Sequence, residues 1–162
     1  MKIEKLLISF FFLSSFSSFS QSDSLSLTSR IEKTIYLINK DSESFSKENL
    51  KRFIKEMKIN NPKIVYAQAY HETNGFKSKV FKSNNNLFGM KVPRTRPTTA
   101  INQNDKKGYA KYKHWKDSVL DYYYYQQYRN IELSSEKEYL VFLRKNYATD
   151  KKYIQKILKF AE

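Results

Sequence analysis

The stretch NPKIVYAQAYHETNG, from Asn61 to Gly75, marks a helix at both ends and so constrains everything folded around it. Asn61 is placed to cap the start, and Pro62 suits the first turn, where its missing N–H costs nothing. Asn74 and Gly75 supply a left-handed stop just beyond the last turn. Ile64, Val65 and Ala69 predict the buried face. Glu72 shares it, lying seven residues after Val65, four after Gln68 and three after Ala69. The chain has only sixteen Asp and Glu against thirty Lys and Arg, yet it directs one carboxylate inward at a helix end. Desolvation and the negative end of the helix dipole both disfavour the anion there. A glutamate kept protonated beside a groove suits general-acid catalysis on a glycosidic oxygen. An ion pair with Lys77 or Lys79 is the alternative, and position alone leaves both readings open.

The flanking sequence predicts more helix. Ile31 to Ile38 reads as a first helix. Ser46 can cap a second, with Leu50, Phe53, Ile54 and Met57 as its buried stripe. Residues 84–116 lose helical periodicity. Gly89, Pro93, Pro97 and Gly108 punctuate loops there, and Tyr109 to Trp115 predicts a short strand. Ser118 with Asp121 predicts a capping box for a helix through Arg129, and Ser135 with Glu138 another, carrying Tyr139, Leu140 and Leu143. Asp150 is placed to cap a last helix with Tyr153, Ile154, Ile157 and Leu158 inward. The expected class is mainly α with one small irregular or β insertion.

The N-terminus has the pattern of an export signal: Lys2 and Lys5, an apolar run from Leu6 to Leu13, then Ser18-Phe19-Ser20 before Gln21. The expected organisation is a signal peptide over 1–20, a mobile serine-rich segment over 21–28 and one domain over 29–162. The apolar run is too short to span a bilayer, so no stable membrane insertion is expected after cleavage. Without cysteine there is neither a disulfide framework nor a site for lipid attachment. The net charge is +14, and loss of two lysines and one glutamate with residues 1–20 leaves +13. Such a surface is attracted to nucleic acid, anionic lipid or an acidic bacterial wall, and export disfavours nucleic acid. The aromatics fall at core-like spacing, which also argues against a nucleic-acid platform. His71 and His114 are the only histidines; the helical zinc motif would need a second one at position 75, which is glycine. No metal or other cofactor is expected.

The segments AQAYHETNGFKS, NNLFGMK, GYAKYKHWKDSVLDY and YATDKKY occur in the order and spacing of the bacterial endo-β-N-acetylglucosaminidase family of peptidoglycan hydrolases, which the chain resembles over roughly residues 46–160. The resemblance implies a lysozyme-like fold: a helical lobe and a small β-hairpin or loop lobe bordering a substrate groove. It implies Glu72 as the general acid, Tyr147 as a groove tyrosine able to orient the substrate's acetamido group, peptidoglycan glycan strands as substrate, and an exported, wall-associated monomer. Asn85 and Asn86 either bind an acetamido group or pin their loop. Phe88 is a candidate substrate contact or a core anchor beside the tight turn at Gly89. Tyr112 and Trp115 either stack on sugars or pack on the helices. The four tyrosines at 122–125 cannot all face one way on a helix, so they divide between core and groove or surface.

Two departures bear on mechanism. Asn74 stands where the family usually has glycine. The glutamate that many relatives carry in the β lobe is also missing, since no glutamate lies between Glu72 and Glu132. Asp105, Asp117 and Asp121 are the acids of the 92–121 stretch; the last two are expected at a helix start and Asp105 in a solvated turn. A single-acid mechanism assisted by the substrate's acetamido group is therefore expected, not the two-carboxylate scheme. Lytic transglycosylation also needs one glutamate, and a catalytically silent wall-binding module is the non-enzymatic alternative.

Overall fold

The computed structural model describes residues 43–103, 108–131 and 135–161. The expected signal peptide, the 21–28 segment, the helix over 31–38, Asp105 and Glu132 lie outside the described residues.

The Ser46 hydroxyl accepts from Asn49 N at 3.0 Å and opens α1 (Lys47–Glu56). Its predicted stripe is buried as expected. Next comes α2 (Pro62–Glu72), but Asn61 does not cap it through its side chain. Its backbone is left-handed, with φ 54°, and its carbonyl accepts from Val65 N at 3.0 Å. The predicted stop does form: Asn74 and Gly75 have φ of 50° and 66°, and Gly75 N donates to Tyr70 O at 2.8 Å. Residues 64–69 of α2 are all buried, because the helix packs against α1 on one side and the C-terminal helix on another.

Ser78 caps a short α3 (Lys79–Asn84). The β lobe is small. Strand β1 (Asn102–Gln103) pairs antiparallel with β2 (Ala110–Lys111), and a single bridge joins Lys91 to Tyr109. The strand expected over Tyr109 to Trp115 is thus two residues long, because the chain turns at His114 into α4 (Trp115–Tyr128). His114 caps α4: its Nδ1 accepts from Lys116 N at 3.2 Å, and the Asp117 carboxylate accepts from His114 N at 2.9 Å. This corrects the expected start at Ser118. Ser118 and Asp121 lie inside the helix with no exposure, because loop segments supply their partners. Ser118 Oγ accepts from Leu87 N at 3.0 Å. Asp121 takes both terminal nitrogens of the Arg96 guanidinium, at 2.6 and 3.0 Å, and the Tyr112 hydroxyl at 2.7 Å. These bonds fasten the proline-bearing loop to α4.

The expected Ser135–Glu138 capping box opens α5 (Glu136–Asn146). Asp150 does not cap α6 (Tyr153–Leu158), which is flanked by Lys152 with no side-chain cap; it stands in the turn before, accepting from Lys152 N at 2.8 Å and Lys156 Nζ at 2.6 Å. Tyr153 and Ile157 point inward as predicted, whereas Leu158 is exposed. The mainly helical class with a small β lobe matches the sequence expectation. Among the described residues, no helix is long and apolar enough to cross a membrane.

Candidate active site

The last turn of α2, the Phe88–Gly89 loop, and the chain from Asn146 to Tyr153 enclose a cleft of about 540 Å³. Glu72 lines it, together with His71, Lys91, Tyr125, Tyr147, Asp150 and Tyr153. Burial raises the Glu72 carboxyl above the usual carboxylate range, and a hydrogen bond from the Tyr153 hydroxyl opposes that rise in part. Among the described residues Glu72 takes part in no ion pair, so the pairing with Lys77 or Lys79 is not adopted.

Gly89 has φ +63°, and a Cβ built there would lie 3.5 Å from Glu72 Oε2. Only a residue without a side chain both adopts that backbone cheaply and leaves the space beside the carboxyl open. The loop is clipped from above by Tyr147, whose hydroxyl donates to Phe88 O at 2.6 Å. Burial, and then the charge of Glu72, raise the Tyr147 phenol well above its ordinary range, so it stays a neutral donor. Phe88 is buried and stacks on Tyr122 with centroids 4.2 Å apart.

The other acid on the cleft wall among the described residues is Asp150. Its bonds to Lys156 and to Lys152 N hold its carboxyl below the usual range, which makes it a weak base. His71 lies edge-on to Tyr153 at 5.6 Å; burial and then Lys156 lower its pKa, while Asp150 opposes them. It lines the cleft, where helical spacing from Glu72 predicts only a packing or surface residue.

This frame coincides with a known family. The model of the glucosaminidase family, described as mannosyl-glycoprotein endo-beta-N-acetylglucosaminidase, matches residues 47–162. The chain belongs to the glucosaminidase family. Among solved structures it is similar to the catalytic domain of the autolysin Auto from Listeria monocytogenes, at 22% identity and a TM-score of 0.48, covering 88% of this chain and 93% of that one. No curated protein is significantly similar in sequence. Membership places the chain among glycosidase-type hydrolases.

Within the glucosaminidase domain, the structure brings Glu72 and Tyr147 to one cleft, borders it with Phe88, whose buried ring makes it the core anchor of its two roles, and leaves the other candidates outside. Asn85 donates to the carbonyls of Tyr112 and Lys113 at 3.2 and 3.1 Å. Asn86 is buried, donates to Met90 O and Ala110 O at 2.8 and 3.0 Å, and accepts from Met90 N at 3.1 Å. Both asparagines pin loops, the second of the two roles open to them in the sequence. Tyr112 and Trp115 are 1% and 3% exposed, so neither ring offers a face to a sugar. Tyr112 is committed to Asp121, and Trp115 packs edge-on against Phe45 and Phe53 while donating to Glu43 O. A stacking role for these two is corrected to packing: the chain turns at His114 and carries them beneath the surface. Of the tyrosine run, Tyr122 is core and Tyr125 lines the cleft. Tyr153 was legible only as a core residue. The one signal for its second role was Gln68, a polar side chain on a face that had to be buried.

Proposed function

We propose that this glucosaminidase-family domain hydrolyses the glycan backbone of peptidoglycan next to N-acetylglucosamine, with Glu72 as general acid. The observation that carries the reading is the setting of Glu72: a carboxyl group raised by burial, facing a cleft, with open space beside it at Gly89. Its proton goes to the glycosidic oxygen as the bond to the sugar breaks, and the site is worth ~10²–10⁴ in rate if it acts as general acids commonly do. Attack at the anomeric carbon comes from the substrate's own acetamido oxygen, and water then opens the resulting ring. That sequence needs one protein acid. Support comes from the acids of the cleft wall: Asp150 is a restrained weak base, and the family's β-lobe glutamate is missing between Glu72 and Glu132.

Tyr147 and Phe88 shape the acid's surroundings, the former by holding the loop that carries Gly89. The protein acts as an exported monomer at the cell wall, drawn there by the +13 charge that remains without residues 1–20. Clearing of purified walls in a gel tests the enzyme: wild-type chain should clear and Glu72→Gln should not. Clearing by the variant would remove Glu72 from the mechanism, and no clearing by either would favour the silent wall-binding module. Product mass separates hydrolysis from transglycosylation, since an anhydro end lacks the added water. Asp105→Asn should cost less than a factor of roughly ten, well short of losing a general base.

A further inference from the structure

Behind the cleft, a set of buried polar side chains runs inward from Glu72. The Gln68 amide nitrogen donates to the Tyr153 hydroxyl at 3.3 Å. Its carbonyl oxygen lies within hydrogen-bond distance of both the Tyr122 and the Tyr139 hydroxyl, at 2.9 and 3.0 Å. Those two hydroxyls are 2.6 Å apart, and Gln126 donates to Tyr139 at 2.9 Å. Gln68, Tyr122 and Tyr139 have no exposure, so bulk solvent does not reach the set.

Counting protons fixes its direction. Tyr122 and Tyr139 carry one proton each, and only one of these can be used between them. The other requires a further acceptor; the Asn60 carbonyl holds the Gln126 nitrogen toward Tyr139, so the oxygen of Gln68 is the one in reach. A reversed amide would leave a buried hydroxyl proton without an acceptor, which costs far more than a neutral hydrogen bond returns. The Gln68 nitrogen must therefore face Tyr153. With its oxygen accepting from Gln68, Tyr153 has its single proton left, and Glu72 is the acid that shares its cleft wall.

We propose that Gln68, held by Tyr122 and Tyr139, is a positioning residue that aims the Tyr153 hydroxyl at Glu72 and so sets the strength of the acid. The inference rests on the proposed role of Glu72 and deepens it. When Glu72 gives up its proton, Tyr153 is already oriented to donate to the anion, a charge-assisted bond stronger than the one made to the neutral acid. The interaction grows as charge develops, which is the condition for it to speed the step. Among the described residues, the other titratable groups around Glu72 are His71 beside it on α2, Tyr125 on α4, Tyr147 and Asp150 between α5 and α6, and Lys91 and Tyr109 from the β lobe, with Lys156 beyond His71.

The test pairs the pH profile of wall clearing with the titration of Glu72, followed by NMR of carboxyl-labelled glutamate in the full chain. Tyr153→Phe keeps the ring and should lower the plateau rate roughly ten- to a hundredfold, the range of one hydrogen bond to a charged group. It should also move both the Glu72 titration and the alkaline limb to higher pH, because the anion has lost its donor. Gln68→Met should do the same alone and add little to Tyr153→Phe, since it acts through that residue. A role in packing alone would lower the rate with the titration unmoved. An unmoved Glu72 titration in Tyr153→Phe, or losses that multiply in the double variant, overturns the proposal. Should Gln68→Met fail to fold by circular dichroism, the Tyr153→Phe titration decides by itself. Full activity of Glu72→Gln would instead sink the general-acid reading, and the titration would still report the coupling.

Discussion

The hydroxyl of Tyr147 donates to the carbonyl of Phe88 at 2.6 Å, joining the end of α5 to a loop 59 residues earlier in the chain. Phe88 is followed by Gly89, whose backbone passes beside the Glu72 carboxyl. One hydrogen bond thus ties together two segments of the cleft lining beside the acid.

Removing that bond should loosen the loop while keeping the fold. Tyr147→Phe is expected to cost about 1 kcal/mol of stability, the net worth of a typical neutral hydrogen bond. Turnover should fall by more than that small loss implies, because misplacement near 1 Å at a reacting centre can cost roughly 10²-fold. Thermal unfolding and wall-clearing rates on the same samples check the two parts. An unchanged rate would mean the loop holds its place without the clip.

Glu72 couples the chemistry to stability. Its carboxyl is raised in the folded chain, chiefly by burial, so folding favours the protonated form. Its contribution is fully present below the unfolded pKa and is lost as pH rises through the folded one. Glu72→Gln, which cannot ionise, should melt higher than wild type at neutral pH, and the gap should close on acidification. Calorimetry across that range decides, and a variant less stable than wild type at pH 7 would contradict the buried, disfavoured anion.

The Arg96–Asp121 pair is 4% and 0% exposed, with Tyr112 as third member. Breaking such a pair from one side leaves a buried charge alone, at a cost of about 3–5 kcal/mol. Arg96→Met should lose stability on that scale, while Arg96→Met with Asp121→Leu should recover part of it. Arg96 also lies 5.9 Å over the Tyr125 ring on the cleft wall, so the single variant should lose activity as well. Denaturant melts of the two variants give the comparison.

Attraction to walls should depend on salt. The chain carries +14 overall and +13 without residues 1–20, and the screening length falls from about 10 Å at 0.1 M to about 3 Å at 1 M. Co-sedimentation with isolated walls should weaken steeply over that range. Retention that ignores salt would assign adhesion to contacts in the cleft.

Local signals were enough for much of this protein. Ser46, the Ser135–Glu138 box and the Asn74-Gly75 stop act within a turn or two, and each formed where the sequence placed it. The inward face of Glu72 followed from helical spacing alone, with Val65, Gln68 and Ala69 buried around it. What the sequence left open depended on partners far along the chain. Asp121 looked like a helix cap until Arg96 and Tyr112 reached it from the loop, and Tyr112 and Trp115 looked available to a sugar until the turn at His114 buried them. Tyr153 read as core because an aromatic at core spacing carries no mark of what its hydroxyl will meet. Helical periodicity decides which side of an element is buried; only packing decides which buried polar groups find one another, and the strength of the acid at Glu72 depends on that second choice.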